Sequence, residues 1–283
     1  MKRAGAIALA ILALLARHAP PALAWDNRTH REITHLAIAH LPPSPLKDFF
    51  FANDDRLRQI SVEPDSILKH RDGKAEQIRH YINIEYFGSD PFDALVPDLH
   101  AMEKKFGAAT IKHAGTLPWT IDDLSSVLRD AWSRGDCARV LQTAGYLAHY
   151  VGDASQPLHS TILYDGYRRD RGMHARVELA VDDRIDELGA AANRETKLIS
   201  IDSVWPPTIA EIREANTHVE EFIQADRAAR NSGSRSQYDD AFLRREKPLI
   251  VSEIARAASL LASIWLFEWQ QSHSPVRCKA AAN

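Results

Sequence analysis

Along most of the chain, apolar residues recur at intervals of three and four, the spacing that puts them on one face of an α-helix. Residues 29–41 place Ile33, Leu36, Ala37 and His40 in this way, and Pro42-Pro43 then stop the element because neither can continue the backbone ladder. The same spacing predicts helices over 97–107, 120–133 and 137–152. It also predicts one over 174–191, through Val177, Ala180, Val181, Ile185 and Leu188, and another over 207–228. A last long run, about 239–271, carries Leu249, Ile250, Ile254, Ala257, Leu261, Ile264 and Trp265. Alternating Val, Ile and Thr, the mark of strands, is scarce, and no repeat or sustained heptad occurs. Irregular pieces are expected at 61–66, 82–96, 112–119, 160–173 and 229–237. The helix after the polar stretch 229–237 is too apolar to stand alone. The reading is all-α, a single multi-helix domain.

With 283 residues, 45% of them hydrophobic and 26% charged, the chain is long enough for a full core. That composition excludes disorder, collagen and a disulfide-dense miniature. The opening segment is read apart from the fold. Lys2 and Arg3 precede an uncharged run from Ala4 to Ala16, then come Pro20-Pro21 and the small-x-small pattern Ala22-Leu23-Ala24. These are the parts of a signal peptide, residues 1–24, and the run is too short to span a bilayer. Cleavage after Ala24 would send the protein to the periplasm or the exterior and leave residues 25–283 with Trp25 first. It would also remove Lys2, Arg3 and Arg17 and move the formal charge from −3 to −6. That balance gives no general attraction to nucleic acid, though a local basic patch stays open. Cys137 and Cys278 are the two cysteines. Export would permit a disulfide between them, and their separation leaves the pairing open. Neither lies in a CxxC pair, which argues against a sulfur-ligated zinc.

Thirteen histidines stand against those two cysteines. The densest signal is 146–159, Tyr-Leu-Ala-His-Tyr-Val-Gly-Asp-Ala-Ser-Gln-Pro-Leu-His. His149 and Asp153 are four apart, so on a helix they share a face and can converge on one ion. Gly152 removes bulk beside them, and Pro157 ends the helix so that His159 can turn back. His174 and Glu178 then repeat the His-x3-carboxylate spacing. One such pair is most simply a solvated helix face; two flanking a third histidine point to metal.

This arrangement resembles the superfamily that unites zinc-dependent bacterial phospholipases C with single-strand-specific fungal-type nucleases. The resemblance implies a mostly helical domain with a trinuclear zinc site and nine ligands, among them the free amine and carbonyl of an N-terminal tryptophan. Matched one by one, the ligands are Trp25, His30, Asp65 in Glu63-Pro64-Asp65, His80 in His80-Tyr-Ile-Asn83, His149, Asp153, His159, His174 and Glu178. By the same resemblance Asp65, His80, His149 and Asp153 hold one zinc, and Trp25, His30 and Asp153 hold its neighbour, with Asp153 bridging. His159, His174 and Glu178 hold the third. Asp65 is the expected catalytic residue, orienting or deprotonating the attacking water. An α-amine has a pKa near 8 and can bind zinc at neutral pH, whereas an amide cannot, so cleavage before Trp25 would itself create a ligand.

The other histidines, His35, His40, His70, His100, His113, His218 and His273, have no partner at ligand spacing. Glu32-x-x-His35 matches a di-iron pair, but no second Glu-x-x-His accompanies it. On substrate the residues divide. The fungal nucleases carry an arginine three residues after the aspartate matched by Asp65, and Leu68 stands there, with Lys69 and Arg71 beyond. Glu178 as the last ligand is phospholipase-like, whereas the short Trp25-x4-His30 spacing is nuclease-like. Choline-preferring phospholipases have an aromatic directly after the aspartate, and here it is Ser66. The expectation is a secreted monomeric phosphodiester hydrolase of phospholipase C type, with transient contact to a membrane surface and no protein partner. The alternatives are a zinc-dependent single-strand nuclease on the same fold and a secreted, non-catalytic zinc-binding protein. Phe49-Phe50-Phe51 are candidates for membrane contact or core, and Tyr164 and Tyr167 for base stacking or loop closure.

Overall fold

The computed structural model describes residues 27–273 and Cys278; the expected signal segment and Trp25 lie outside the described residues. Among the described residues there is no strand, and the all-α reading holds. The principal helices are α1 (Asn27–His40), α2 (Pro45–Ala52), α3 (Asp54–Ile60), α4 (Leu99–Phe106), α5 (Ala108–Ala114) and α6 (Leu117–Arg134). They continue with α7 (Cys137–Ala154), α8 (Met173–Asp183), α9 (Ile185–Ala192), α10 (Trp205–Thr217), α11 (Val219–Ala229) and α12 (Arg235–Gln271).

Local chemistry sets several of the boundaries. The Ser44 hydroxyl accepts from the amide of Lys47 to start α2, and Asp136 accepts from the amide of Arg139 at 3.0 Å to start α7. Ser234 and Gln237 form a reciprocal capping box at the head of α12. The expected helix over 174–191 is broken at Arg184, and that over 207–228 at His218; each break is a single residue outside helical geometry. A one-residue break leaves the apolar spacing almost intact, which is why periodicity alone reads through it. The pair α2 and α3 was not anticipated, being too short to show a full apolar face. The stretch expected to be irregular at 112–119 shrinks to the residues between α5 and α6.

α12 is the axis of the domain. It packs against α1, α6, α7, α8, α9 and α11, burying Ile250, Ile254, Leu261 and Trp265 completely. It is long and apolar enough to cross a membrane, but 78% of its most apolar window is buried in the fold, as in a core helix. Phe50 meets Trp265 edge to face at 4.8 Å. Phe49 is buried as well, while Phe51 is 67% exposed, so the aromatic triplet is mostly core. Cys137 and Cys278 form a disulfide, with Cα atoms 5.6 Å apart, across 141 residues of sequence. In the chain-entropy account a loop of that length is worth about 5 kcal/mol.

Candidate metal centre

Six elements converge to build the site. His30 comes from α1, and Asp65 from a single π-helical turn, Pro64–Leu68. His80 ends the 3-10 turn Ile78–His80, His149 and Asp153 lie one turn apart on α7, and His159 follows in the turn Pro157–Ser160. His174 and Glu178 lie one turn apart on α8. All eight side chains are buried. Trp25, the ninth expected ligand, lies outside the described residues.

Four of them face a common centre. His80 Nδ1 lies 3.0 Å from Asp153 Oδ2 and 3.5 Å from Asp65 Oδ1. His149 Nε2 lies 3.0 Å from His80 Nδ1, 3.4 Å from Asp153 Oδ2 and 3.7 Å from Asp65 Oδ1. A tetrahedral zinc with bonds of about 2.0–2.1 Å sets its ligand atoms roughly 3.3 Å apart. The observed separations bracket that edge. His149 is oriented for the task, because its Nδ1–H donates to the carbonyl of Ser61 at 2.8 Å and leaves Nε2 as the free lone pair.

Asp153 has two faces. While Oδ2 joins that group, Oδ1 lies 3.6 Å from His30 Nε2 and 3.4 Å from His159 Nδ1, so the two oxygens of the carboxylate face different donors. His30 stacks on His149, with ring centroids 4.0 Å apart. The ring fits there because residue 152 is glycine: a Cβ at Gly152 would stand 2.8 Å from His30 Nδ1.

A further group lies beyond it. His159 Nε2 is 3.1 Å from His174 Nε2 and 3.6 Å from Glu178 Oε1, and His174 Nε2 is 2.7 Å from the same oxygen. His159 Nδ1–H donates to the carbonyl of His80 at 2.7 Å, tying this group to the first and fixing its tautomer. Gln156 Nε2 donates to Glu178 Oε1 at 3.0 Å. Three sets of side chains, His30–His149–Asp153, Asp65–His80–His149 and His159–His174–Glu178, each bring their donor atoms close enough together to hold a metal ion.

Electrostatics favour the ligand state of the rings. Burial, reinforced by nearby cationic groups, pushes His80 and His149 well below the ordinary imidazole value, and burial lowers His159 too, so these rings are neutral. Asp153 is driven the other way, by burial and then by the Asp65 carboxylate. Glu178 is raised by burial, but His174 and His159 outweigh it and hold the carboxyl down at about 2. Asp65, Asp153 and Glu178 thus crowd three carboxyl groups into a buried space, where bound cations would offset their ionised forms. Imidazole and carboxylate donors, closed up to ligand-edge distances, fit zinc.

Motif reading named Lys69 only as standing beyond Leu68 and did not single out the other supports. The Lys69 ammonium contacts Asp65, one helical turn on, while Leu68, at the position where an arginine was sought, is buried in the core. The Ser61 carbonyl and Gln156 were missed. Gln156 had a visible signal, its place directly before Pro157 and His159; Ser61 had none, since any residue offers a carbonyl.

The S1/P1 Nuclease family profile matches residues 25–182, more than half of the chain and the whole stretch from Trp25 past Glu178. The chain belongs to the S1/P1 nuclease family. No curated protein sequence matches the chain. Among solved structures it is similar to the alpha toxin from Clostridium absonum, with TM-score 0.54 and 14% identity over 89% of this chain and 65% of that one. It is also similar to the Clostridium perfringens alpha-toxin from an avian strain, with TM-score 0.50 and 17% identity over 86% of this chain and 64% of that one. The chain therefore spans about two thirds of the length of these toxins. At such identities the likeness is one of fold.

Proposed function

We propose that the protein is an exported zinc-dependent phosphodiester hydrolase of phospholipase C type. The observation that carries this reading is Asp153, whose two oxygens serve two different donor groups while a third group stands beside them. Zinc bound by these residues would supply hydroxide near neutral pH and offset the charge of a phosphodiester and its more negative transition state. The chain's own residues do the rest. His80, His149 and His159 stay neutral by burial and are held in one tautomer or orientation by backbone carbonyls and neighbouring carboxylates. Asp65 is the proposed catalytic residue, placed to orient the attacking water and to accept its proton. The Lys69 ammonium beside it is the nearest cation to that carboxylate and suits the anionic substrate. Trp25 is proposed as the ninth ligand through its α-amine after cleavage behind Ala24. Its partner His30 stands five residues on, at the Oδ1 side of Asp153.

Two features support a lipid substrate. Leu68 is buried, so no guanidinium occupies that position to clamp a nucleotide phosphate. The last ligand is Glu178 rather than aspartate. A second reading, single-strand nuclease, is favoured by the family profile itself. The deciding assay takes protein beginning at Trp25, loaded with zinc, and offers mixed phospholipid vesicles and single-stranded DNA and RNA in parallel, with a chelator control. Chelator-sensitive release of phosphorylated headgroup and diacylglycerol is expected. Release of nucleotides alone would establish the nuclease reading, and no product from any phosphodiester would leave a non-catalytic zinc protein.

A further inference from the structure

We propose that the loop over residues 161–172 is a docking element that seats the protein on an anionic lipid surface with the His159–His174–Glu178 group facing it. This deepens the phospholipase C reading and rests on it for its biological sense. Ile162, Tyr164 and Tyr167 are 48%, 52% and 45% exposed, which is unusual for three large apolar side chains within six residues. Arg168, Arg169 and Arg171 follow directly and are exposed as well. The loop borders the metal centre, since the Tyr164 ring meets the His174 ring edge-on at 5.9 Å.

The loop is built to stay in that position. The Glu85 carboxylate accepts from the Thr161 hydroxyl and from the Ile162 amide, the latter at 3.1 Å. Asp165 accepts from the amides of Gly172 at 2.8 Å and His174 at 3.2 Å, closing the far end onto α8. Between them the fully buried Asp170 carboxylate takes Arg227 at 2.6 and 2.9 Å and Arg230 at 2.7 Å. A loop pinned at three points cannot fold its apolar side chains inward, so their exposure is a fixed property of the surface.

Charge selects the partner. The chain as a whole is acidic, with 38 Asp and Glu against 35 Lys and Arg, yet here three exposed arginines within four residues, Arg168, Arg169 and Arg171, flank an apolar cluster. Apolar residues that enter the headgroup layer, next to arginines that pair with anionic lipid, make an interfacial anchor. A single-stranded nucleic acid would want open aromatic faces on which to stack. Tyr167 has the Arg227 guanidinium over its ring at 5.1 Å, Tyr164 is engaged with His174, and Ile162 has no π face. Ile67, 52% exposed and two residues after Asp65, adds a second aliphatic contact of the same kind.

The experiment measures binding apart from turnover. Zinc-loaded protein is floated on ice with vesicles of phosphatidylglycerol in phosphatidylcholine and with pure phosphatidylcholine vesicles. Binding is expected to the anionic vesicles, weakened by salt, roughly tenfold weaker in Ile162→Asp and about fivefold weaker in Arg168→Ser. Both positions are exposed, and unchanged turnover of the soluble diester bis(p-nitrophenyl) phosphate checks that the variants are folded. Equal vesicle affinity in wild type and both variants overturns the proposal. So does loss of affinity for an oligo-dT strand with vesicle binding unchanged. The soluble diester also separates the two claims. Zinc-dependent turnover without vesicle binding overturns docking alone, and vesicle binding without turnover supports docking while removing the hydrolase reading.

Discussion

Asp182, near the end of α8, accepts hydrogen bonds from both the amide and the hydroxyl of Thr29 in the first turn of α1, at 2.7 and 2.8 Å. Its other oxygen takes the amide of Arg28 at 3.2 Å. A side chain 153 residues away therefore caps α1, and the helix that carries His174 and Glu178 sets the start of the helix that carries His30. Asp182→Ala should destabilise the protein by about 1–2 kcal/mol, the usual worth of a cap. It should also lower zinc content through the His30 position, while Asp182→Asn retains most of both. Thermal unfolding and metal analysis of the two variants check this.

Gly152→Ala is expected to cost a metal ion. On a solvent-facing helix the change would be favourable by about 1 kcal/mol. Here the new methyl would stand 2.8 Å from His30 Nδ1 and 3.0 Å from Cε1, and the imidazole would have to leave its place against α7. Zinc per chain should fall, with the His159–His174–Glu178 group still loaded. Full zinc content in this variant would show that His30 is not a ligand.

The two carboxylates should differ in the same measurement. Asp153→Asn weakens two donor groups, because each oxygen faces a different one, whereas Glu178→Gln touches one group only. The expected loss is two ions against one. The reverse order would overturn the assignment of Asp153 as the bridge.

Acid stability should depend on Asp170. The Arg227 hydrogen bonds, with Arg230 beside them, hold its carboxyl far below the ordinary aspartate value despite burial. The group binds a proton more weakly in the folded than in the unfolded protein. Its contribution is therefore present above the unfolded value, near 3.9, and is lost as pH falls through the lower folded value. Asp170→Asn should flatten the stability profile below about pH 4 and lower stability at neutral pH. Urea midpoints across that range, for wild type and variant, measure it.

Much of the centre was legible because four of its candidate ligands come in local pairs. His149 with Asp153, and His174 with Glu178, are each one helical turn apart, so helical periodicity alone predicts that they converge. His30, Asp65 and His80 were placed only through resemblance, since a lone histidine or aspartate carries no spacing to read. The structure brings all three to the pairs, from α1, a π-helical turn and a 3-10 turn.

By itself the sequence determined the helical class, the single apolar core and the two ligand pairs, because these depend on residue type and short-range spacing. Tertiary structure decided what joins elements distant in the chain: the Asp182 cap on α1, the disulfide from Cys137 to Cys278, and the turn of Asp153's two oxygens toward different groups. It also decided that Ile162, Tyr164 and Tyr167 stay exposed, because three buried or bridging carboxylates hold their loop. Spacing along a helix fixes which side chains share a face; which faces then meet depends on packing across the whole domain, and no local pattern encodes that.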